Sequence, residues 1–223
     1  MGDTVNRPAR LVTAALTASA ALLLTACGSG GGDGSSSSDK IAGADSGDKT
    51  SASPSASASA DGIDRPEIKL PSDMKLVFEG RQTGDAVKDA VLADNERAVS
   101  TVWQAVASGD LKKSGMGFYY TDAALRGVYN YAKDNNARKT SWAGTLRYFD
   151  RQVTVFDKTS AALTYCVDES DANVKDLRTK KVKVVETSPD SYVYYNASVK
   201  KDEQGVWQIW SLHEDRGSQR CQP

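Results

Sequence analysis

The spacing of the apolar residues changes once along this chain of 223 residues, and that change constrains its fold more than any other feature. Between residues 85 and 134, apolar side chains recur every three or four positions, which indicates helices. From residue 145 onward they alternate with polar side chains, which indicates strands. Helices followed by a run of strands are typical of an α+β domain, in which the helices pack on one face of a mainly antiparallel sheet.

Two helices are predicted in the first part of this pattern. One covers residues 85–108, because Asp85 can cap its start and Gly109 follows its last apolar position. The other covers residues 121–134 and begins at Thr121, which can also cap a helix. Two extended segments, residues 68–71 and 75–78, precede them and are expected to cross or edge the sheet.

The strands predicted from the alternation are separated by clusters of Asp, Ser, Pro and Gly that indicate turns. They cover residues 153–155, 161–167, 181–186, 193–199 and 206–212. The sequence therefore predicts a sheet built almost entirely from the second half of the chain.

The N-terminal segment has the pattern of an export signal. Arg7 and Arg10 precede an apolar run over residues 11–24, which is shorter than the roughly 20 apolar residues that a membrane-spanning helix needs. The next residues, Leu24-Thr25-Ala26-Cys27, resemble the lipobox of bacterial lipoproteins, in which the cysteine is lipidated and becomes the first residue. The resemblance implies a signal peptide over residues 1–26 and acyl chains such as palmitate on Cys27. The alternative is a secretory signal with a coincidental cysteine.

The segment after Cys27 is rich in Gly, Ser, Ala and Asp, and Ile41 is the only large aliphatic residue in positions 28–62. Such a segment cannot bury enough apolar surface to offset the entropy that folding would cost. We therefore expect a disordered tether over residues 27–66 and one folded domain over residues 67–223. A domain of this length buries roughly 68–70% of the surface of its unfolded chain.

Three segments of the folded region carry a family resemblance: Tyr165 to Asp168 on a strand, Gly205 to Trp207 entering the last strand, and Arg216 to Cys221 near the end. Together with the order of helices and strands, they resemble the cone-shaped nuclear transport factor 2-like superfamily. More narrowly, they are similar to bacterial envelope lipoproteins that join a lipobox and a Ser/Gly tether to such a domain. The resemblance implies helices on a curved, mainly antiparallel sheet, with a pocket against its concave face.

Cysteine usage suggests one covalent crosslink. If Cys27 carries lipid, Cys166 and Cys221 remain, and two such thiols in an exported protein usually pair. We therefore predict a disulfide between them, with two reduced thiols as the alternative. His213 is the only histidine, which supports neither a zinc site nor a cysteine–histidine catalytic pair. We predict no metal and no cofactor.

The balance of charge limits the partners. The chain has 28 basic and 29 acidic residues, a net charge of −1, whereas nucleic-acid binding needs a basic surface. We therefore exclude nucleic acid. The expected partners are the membrane, through lipidated Cys27, and an envelope protein or a small ligand. The expected location is the extracytoplasmic face of the cell membrane, and the oligomeric state is left open.

The residues that could line the implied pocket are Trp103, Tyr119, Tyr120, Tyr148, Asp150 and Trp210. Large aromatics at alternating positions more often belong to a core, so we expect the interior of the cone to be mostly filled and no residue to be catalytic. The predicted function is a non-catalytic binding or scaffolding domain on a lipid anchor. The alternative implied by the resemblance is a ketosteroid isomerase- or cyclase-like enzyme with a tyrosine donor and an aspartate base.

Overall fold

The computed structural model describes residues 61–223, and in this part of the chain helices cover one face of a seven-stranded sheet. The strands are β1 (Met74–Phe78), β2 (Thr140–Val155), β3 (Ser160–Asp168), β4 (Ala172–Asp176), β5 (Val182–Lys183), β6 (Tyr192–Lys201) and β7 (Trp207–Arg216). The helices are α1 (Ala86–Ser108), α2 (Met116–Tyr119) and α3 (Asp122–Arg138). The predicted α+β arrangement, with helices on a curled and mainly antiparallel sheet, is confirmed.

Helix α1 begins and ends where the sequence predicts. The Asp85 carboxylate accepts hydrogen bonds from the backbone N–H groups of Val87 and Lys88 at 2.9 and 3.1 Å. These bonds satisfy two of the amides that every helix start leaves unpaired. Gly109 ends the helix with a left-handed φ of 76°, which glycine adopts without steric cost.

Helix α3 begins directly after Thr121, as predicted, but extends beyond residue 134 to Arg138. The polar residues at its end resemble a loop in sequence, yet tertiary contacts keep them helical. The Asn136 side-chain amide donates to the Ala105 carbonyl near the end of α1 at 3.2 Å. Lys139 then ends the helix in the left-handed region, at φ 57°.

The strand order is β5-β4-β2-β3-β6-β7 with antiparallel neighbours, and β1 pairs with β2 in parallel. Strand β2 is long enough to join both halves of the sheet, because its first part pairs with β4 and its last part with β3. Gly144 lies within β2 at φ +119°, and a Cβ there would lie 1.9 Å from the Asp171 carbonyl oxygen. Glycine is therefore required inside this strand, and its presence makes β2 look interrupted in the sequence.

The hydrophobic core fills the space between α1, α3 and the inner face of the sheet. Strand β3 illustrates the alternation: Leu163, Tyr165 and Val167 are buried on the inner face, while Asp168 lies on the outer face and pairs with Arg147 at 3.1 Å. Fully burying one large apolar side chain stabilises the fold by about 1.5–3 kcal/mol. The inner face of the sheet is therefore the main source of stability.

A buried carboxylate joins α1 to β7. Asp94 is 2% exposed, and it accepts a hydrogen bond from the Trp207 backbone N–H at 2.9 Å. It also pairs with Arg65 at 3.0 Å. Burial raises the pKa of the Asp94 carboxyl, and the bond from Trp207 and the charge of Arg65 oppose this shift. Because Arg65 makes this contact, the chain is attached to the domain before residue 67.

A buried guanidinium joins α1 to β2. The Arg151 side chain is fully buried and pairs with Glu96 at 2.7 Å. It also donates to the backbone carbonyls of Leu92 at 2.8 Å and Glu79 at 3.3 Å, and lies 5.2 Å from the Phe78 ring centroid. A charge can be buried only when it is paired and hydrogen-bonded in this way.

The predicted disulfide between Cys166 and Cys221 is confirmed, with Cα atoms 5.5 Å apart. Cys166 lies on the outer face of β3, because its neighbours Tyr165 and Val167 face inward. The bond therefore holds the C-terminal segment against the outside of the sheet, where the Gln222 side chain also donates to the Pro189 carbonyl at 3.1 Å.

The predicted signal peptide, Cys27 and the tether up to residue 60 lie outside the described residues. The structure does not test the predictions made for these residues. Within residues 61–223, no helix has the length and apolar character needed to cross a membrane.

Candidate functional site

A cavity of about 310 Å³ lies between the helices and the inner face of the sheet. Small residues of α3, Ala124 and Gly127, leave space that the facing side chains do not fill. The expectation of a filled interior is therefore wrong. The remaining lining residues are apolar or aromatic, with three charged residues among them: Val99, Val102, Trp103, Tyr120, Ala123, Val128, Tyr131, Tyr148, Tyr165, Val167, Glu169, Tyr195, Leu212, Glu214 and Arg216.

Three tyrosines from neighbouring strands form the sheet side of the cavity. Tyr165 on β3 and Tyr195 on β6 are opposite each other in the register, and their rings stack with centroids 5.0 Å apart. Tyr148 on β2 lies 6.1 Å from Tyr165. Burial raises the pKa of all three phenols, so their hydroxyl groups are neutral near pH 7. The sheet thus offers the cavity neutral hydrogen-bonding groups on aromatic rings.

Trp103 forms the helix side of the cavity. Its indole N–H donates to the Tyr148 hydroxyl at 2.9 Å, which ties α1 to β2. Its ring makes edge contacts with Tyr131 and Trp142 at centroid distances of 5.9 and 5.3 Å. Edge-to-face pairs of this kind add about 0.5–1.5 kcal/mol each beyond their buried area. Trp103 is therefore held in a fixed orientation.

Tyr120 contributes a phenol group to the cavity. The residue is 2% exposed and follows α2, where its backbone bridges to Ile209. Among residues 61–223, its hydroxyl has no hydrogen-bond partner. Burial raises the pKa of this phenol well above its usual value, and the nearby phenols of Tyr165 and Tyr148 raise it further. This hydroxyl is therefore free to exchange hydrogen bonds with whatever occupies the cavity.

The mouth of the cavity is charged. The Arg216 guanidinium binds Glu169 through two hydrogen bonds, at 2.6 and 3.3 Å. Two residues earlier on the same face of β7, Glu214 accepts a hydrogen bond from the Tyr195 hydroxyl at 3.1 Å. Tyr131 of α3 lies beside these groups and is 48% exposed.

A second cavity, of about 500 Å³, adjoins the first. The two share Trp103, Tyr131, Glu169 and Arg216, which therefore form a partition between them. The rest of the second lining is more polar than the first and includes Asn135, Arg138, Thr140, Ser141, Asn173, Glu186, Ser188, Asp190 and Ser191.

The structure brings three of the six predicted pocket residues together. Trp103, Tyr120 and Tyr148 line the first cavity. Tyr119 does not, because it precedes Tyr120 in the chain and faces the opposite way, where it is fully buried with its ring 4.9 Å from that of Phe118.

The other two predicted residues are displaced by β-bulges. The register of β2 shifts between Phe149 and Gln152. Within this shift Asp150 takes φ 46° and is exposed, while Arg151 takes the inward position. Trp210 is the extra residue where the register of β7 shifts, and it is 42% exposed. The prediction that either residue lines the pocket is therefore wrong.

The residues at the mouth were not predicted from the sequence. Tyr195 and Glu214 occupy inward positions of their strands and could have been found from the alternation alone. Glu169 and Arg216 lie at or just past strand ends, and only the pairing of distant strands brings them together. Tyr131 is half exposed, so its helical position gives no signal of a cavity.

The chemistry available in the first cavity is that of apolar contact and neutral hydrogen bonds. Its carboxylates, Glu169 and Glu214, are at the mouth, and each is already hydrogen-bonded. His213 lines neither cavity, and both described cysteines are in the disulfide. Over residues 61–223, no group of His, Cys, Asp and Glu side chains is arranged to hold a metal ion.

No protein-family model and no curated protein matches the chain. Solved structures with similar coordinates include a ketosteroid isomerase-like protein from Erwinia carotovora atroseptica SCRI1043, with 11% identity and a TM-score of 0.41 over 60% of this chain and 98% of that one. Another is an NTF-2-like protein from Shewanella oneidensis MR-1, with 14% identity and a TM-score of 0.35 over 55% of this chain and 96% of that one. At such values the likeness says nothing about activity.

Proposed function

We propose that this chain is a lipid-anchored, extracytoplasmic protein whose cone-shaped domain binds a small, mostly apolar ligand without transforming it. The open aromatic cavity of about 310 Å³ carries this proposal. Ligand sites are usually concave and apolar with a few placed polar groups, and occupy roughly 300–1,000 Å³. A cavity at the lower end of that range suits a ligand built on one ring.

Binding is favoured over catalysis because the interior has no acid–base pair. General acid–base chemistry needs a group that exchanges a proton near neutral pH, held within hydrogen-bond reach of the substrate. The phenols of Tyr120, Tyr148 and Tyr165 have raised pKa values because they are buried, which makes them poor bases and poor acids at pH 7. They remain good hydrogen-bond donors.

Narrowing the opening of the cavity tests the proposal. Gly127 of α3 lines the cavity, and a Cβ added there meets nothing within 4 Å. Gly127 is exposed at the edge of the cavity, so leucine there should narrow the opening, and Gly127→Leu should weaken the binding of 4-ethylphenol measured by calorimetry. The matched control is Gly117→Leu, because Gly117 is also helical and unobstructed but lies outside the cavity. Equal binding by both variants would contradict the proposed site.

The anchor is tested separately through Cys27. Two or more acyl chains hold a protein stably on a bilayer, whereas one chain does so only marginally. The wild-type chain should therefore fractionate with membranes, and Cys27→Ser should release the domain to the soluble fraction. Intact-mass analysis that finds an unmodified Cys27, or that finds Met1 retained, would contradict the anchor.

One observation favours an isomerase-like enzyme as the second candidate. Two hydroxyl groups, of Tyr120 and Tyr148, lie near each other in an apolar interior, where they could donate to a carbonyl oxygen. The only carboxylates available as a base are then Glu169 and Glu214, since Asp150 lies outside the cavity. Turnover of a β,γ-unsaturated ketone that is lost in both Tyr120→Phe and Glu214→Gln would establish this candidate in place of simple binding.

A further inference from the structure

The carboxylate of Glu214 is the one charge at the mouth of the first cavity that has no ion-pair partner within residues 61–223. It accepts only the neutral Tyr195 hydroxyl, at 3.1 Å. The nearby Arg216 is already occupied by Glu169 and by the Asp190 carbonyl, at 2.6 and 2.8 Å. A ligand that enters the cavity therefore passes a negative charge that forms no ion pair within the described residues, although Arg216 lies near enough to interact with it electrostatically.

The wider surroundings of the mouth are also negative. The linings of the two cavities together contain four carboxylates and two guanidinium groups, and no lysine. By contrast, the whole chain is almost balanced, with 28 basic and 29 acidic residues. The linings therefore carry a small local excess of negative charge, and such an excess favours ligands that are positively charged.

The Tyr120 hydroxyl is the second polar feature without a partner. Tyr120 as a whole is 2% exposed, whereas Glu214 is exposed at the mouth. The walls around Tyr120 include Val99, Val102 and Val128. The cavity therefore presents an unpaired anion at its opening, apolar and aromatic walls, and a neutral hydroxyl in its interior.

We infer that the ligand is a small aralkylamine: a protonated amine that binds Glu214, a ring that contacts the aromatic walls, and an oxygen on the ring that hydrogen-bonds to Tyr120. This inference rests on the proposed ligand-binding function and adds the chemical class of the ligand. Each part of the ligand is chemically complementary to one of these three features of the cavity. Arg216 does not oppose the amine, because Glu169 neutralises it.

The inference is tested by calorimetry on the full chain with three probes of nearly equal size and shape. Tyramine carries an ammonium group, tyrosol has a neutral hydroxyl in its place, and 4-hydroxyphenylacetate has a carboxylate. Tyramine should bind about 1.4- to fivefold more tightly than tyrosol, because an exposed ion pair contributes about 0.2–1 kcal/mol. The carboxylate should bind more weakly than either. The preference for tyramine should fall as salt rises, since Glu214 is exposed.

Matched variants assign the effect to named groups. Glu214→Gln should remove the preference for tyramine and leave tyrosol affinity unchanged. Asp215→Asn is the control, because it makes the same change in net charge on the neighbouring residue of β7, which does not line the cavity. Tyr120→Phe should reduce the affinity for tyramine but not that for phenethylamine, which lacks the ring oxygen.

The outcomes separate this inference from the proposed function. If tyrosol binds as tightly as tyramine, or if Asp215→Asn has the same effect as Glu214→Gln, the amine assignment is wrong and the binding function stands. Preferred binding of 4-hydroxyphenylacetate would also overturn the assignment. If none of the probes binds, and 4-ethylphenol does not bind either, both the inference and the proposed function fail.

Discussion

Replacing Arg151 with alanine should be among the most damaging single changes in this domain. The substitution removes the buried partner of Glu96 and the side-chain donor to the Leu92 carbonyl. Removing one member of a buried ion pair costs about 3–5 kcal/mol. Glu96 keeps a second partner, Arg81, at 2.9 Å, so we expect the lower end of that range, about 3 kcal/mol. For a domain of this size, that loss lowers the Tm by about 6–12 °C.

The assay is urea unfolding of wild type, Arg151→Ala, Glu96→Gln and the double variant, followed by fluorescence. Because the two side chains contact each other, the double variant should lose less free energy of unfolding than the two single losses added together. The control is Arg147→Ala. Arg147 also has two carboxylate partners, Glu79 and Asp168, but its side chain is 39% exposed, so its loss should cost at most about 1 kcal/mol.

Equal losses of free energy for Arg151→Ala and Arg147→Ala would contradict this prediction, since Arg151 differs from Arg147 in its burial and in its bonds to the Leu92 and Glu79 carbonyls. Additive losses in the double variant would also refute it. A variant that fills the volume without charge, Arg151→Met, should recover part of the loss only when Glu96 is neutralised as well, because a largely buried carboxylate that has lost one of its two partners is the main cost.

Three further predictions follow from the backbone and the crosslink. Reducing the bond between Cys166 and Cys221 opens a loop of 55 residues and should lower the free energy of unfolding by about 4 kcal/mol; a Tm unchanged by dithiothreitol would contradict this. Gly144→Ala should destabilise by more than about 2 kcal/mol, through the clash and the positive φ, and a two-state urea curve that matches wild type would be the contrary result. The Asp157 carboxyl has its pKa lowered to about 2, chiefly by the hydrogen bond from Ser160, so its contribution to stability is present above about pH 4 and is lost as the pH falls toward 2. Ser160→Ala should raise this pKa toward the usual value in an NMR titration, and an unmoved titration would exclude Ser160 as the cause.

Most of the helices and strands could be predicted from the sequence, because interactions between residues close in the chain determine where they begin and end. The start of α1 at Asp85 and its end at Gly109 follow from capping, which needs no distant partner. The inward positions of β3 follow from alternation. The start of β2 was predicted too late because Gly144, which a strand normally disfavours, is required there by the close approach of Asp171.

The residues that line the cavity could be predicted only in part, because β-bulges and the pairing of distant strands determine which side chains face it. One extra residue in β2 turns Asp150 outward and Arg151 inward, and one in β7 exposes Trp210. Simple alternation cannot detect such an insertion. Glu169 and Arg216 are 47 residues apart in the chain, and only the strand order places them together at the mouth.

Strand β7 also determines at which end of the chain the domain can be attached to a surface without blocking the cavity. Its first residue, Trp207, bonds to Asp94 beside Arg65, where the preceding chain joins the domain. Its last residue, Arg216, is at the cavity mouth, and ten residues of strand separate the two ends by roughly 30 Å. A sensor surface or fusion partner attached before residue 61 therefore leaves the mouth accessible, whereas one attached after Pro223 is placed beside the Pro189 turn and would crowd it.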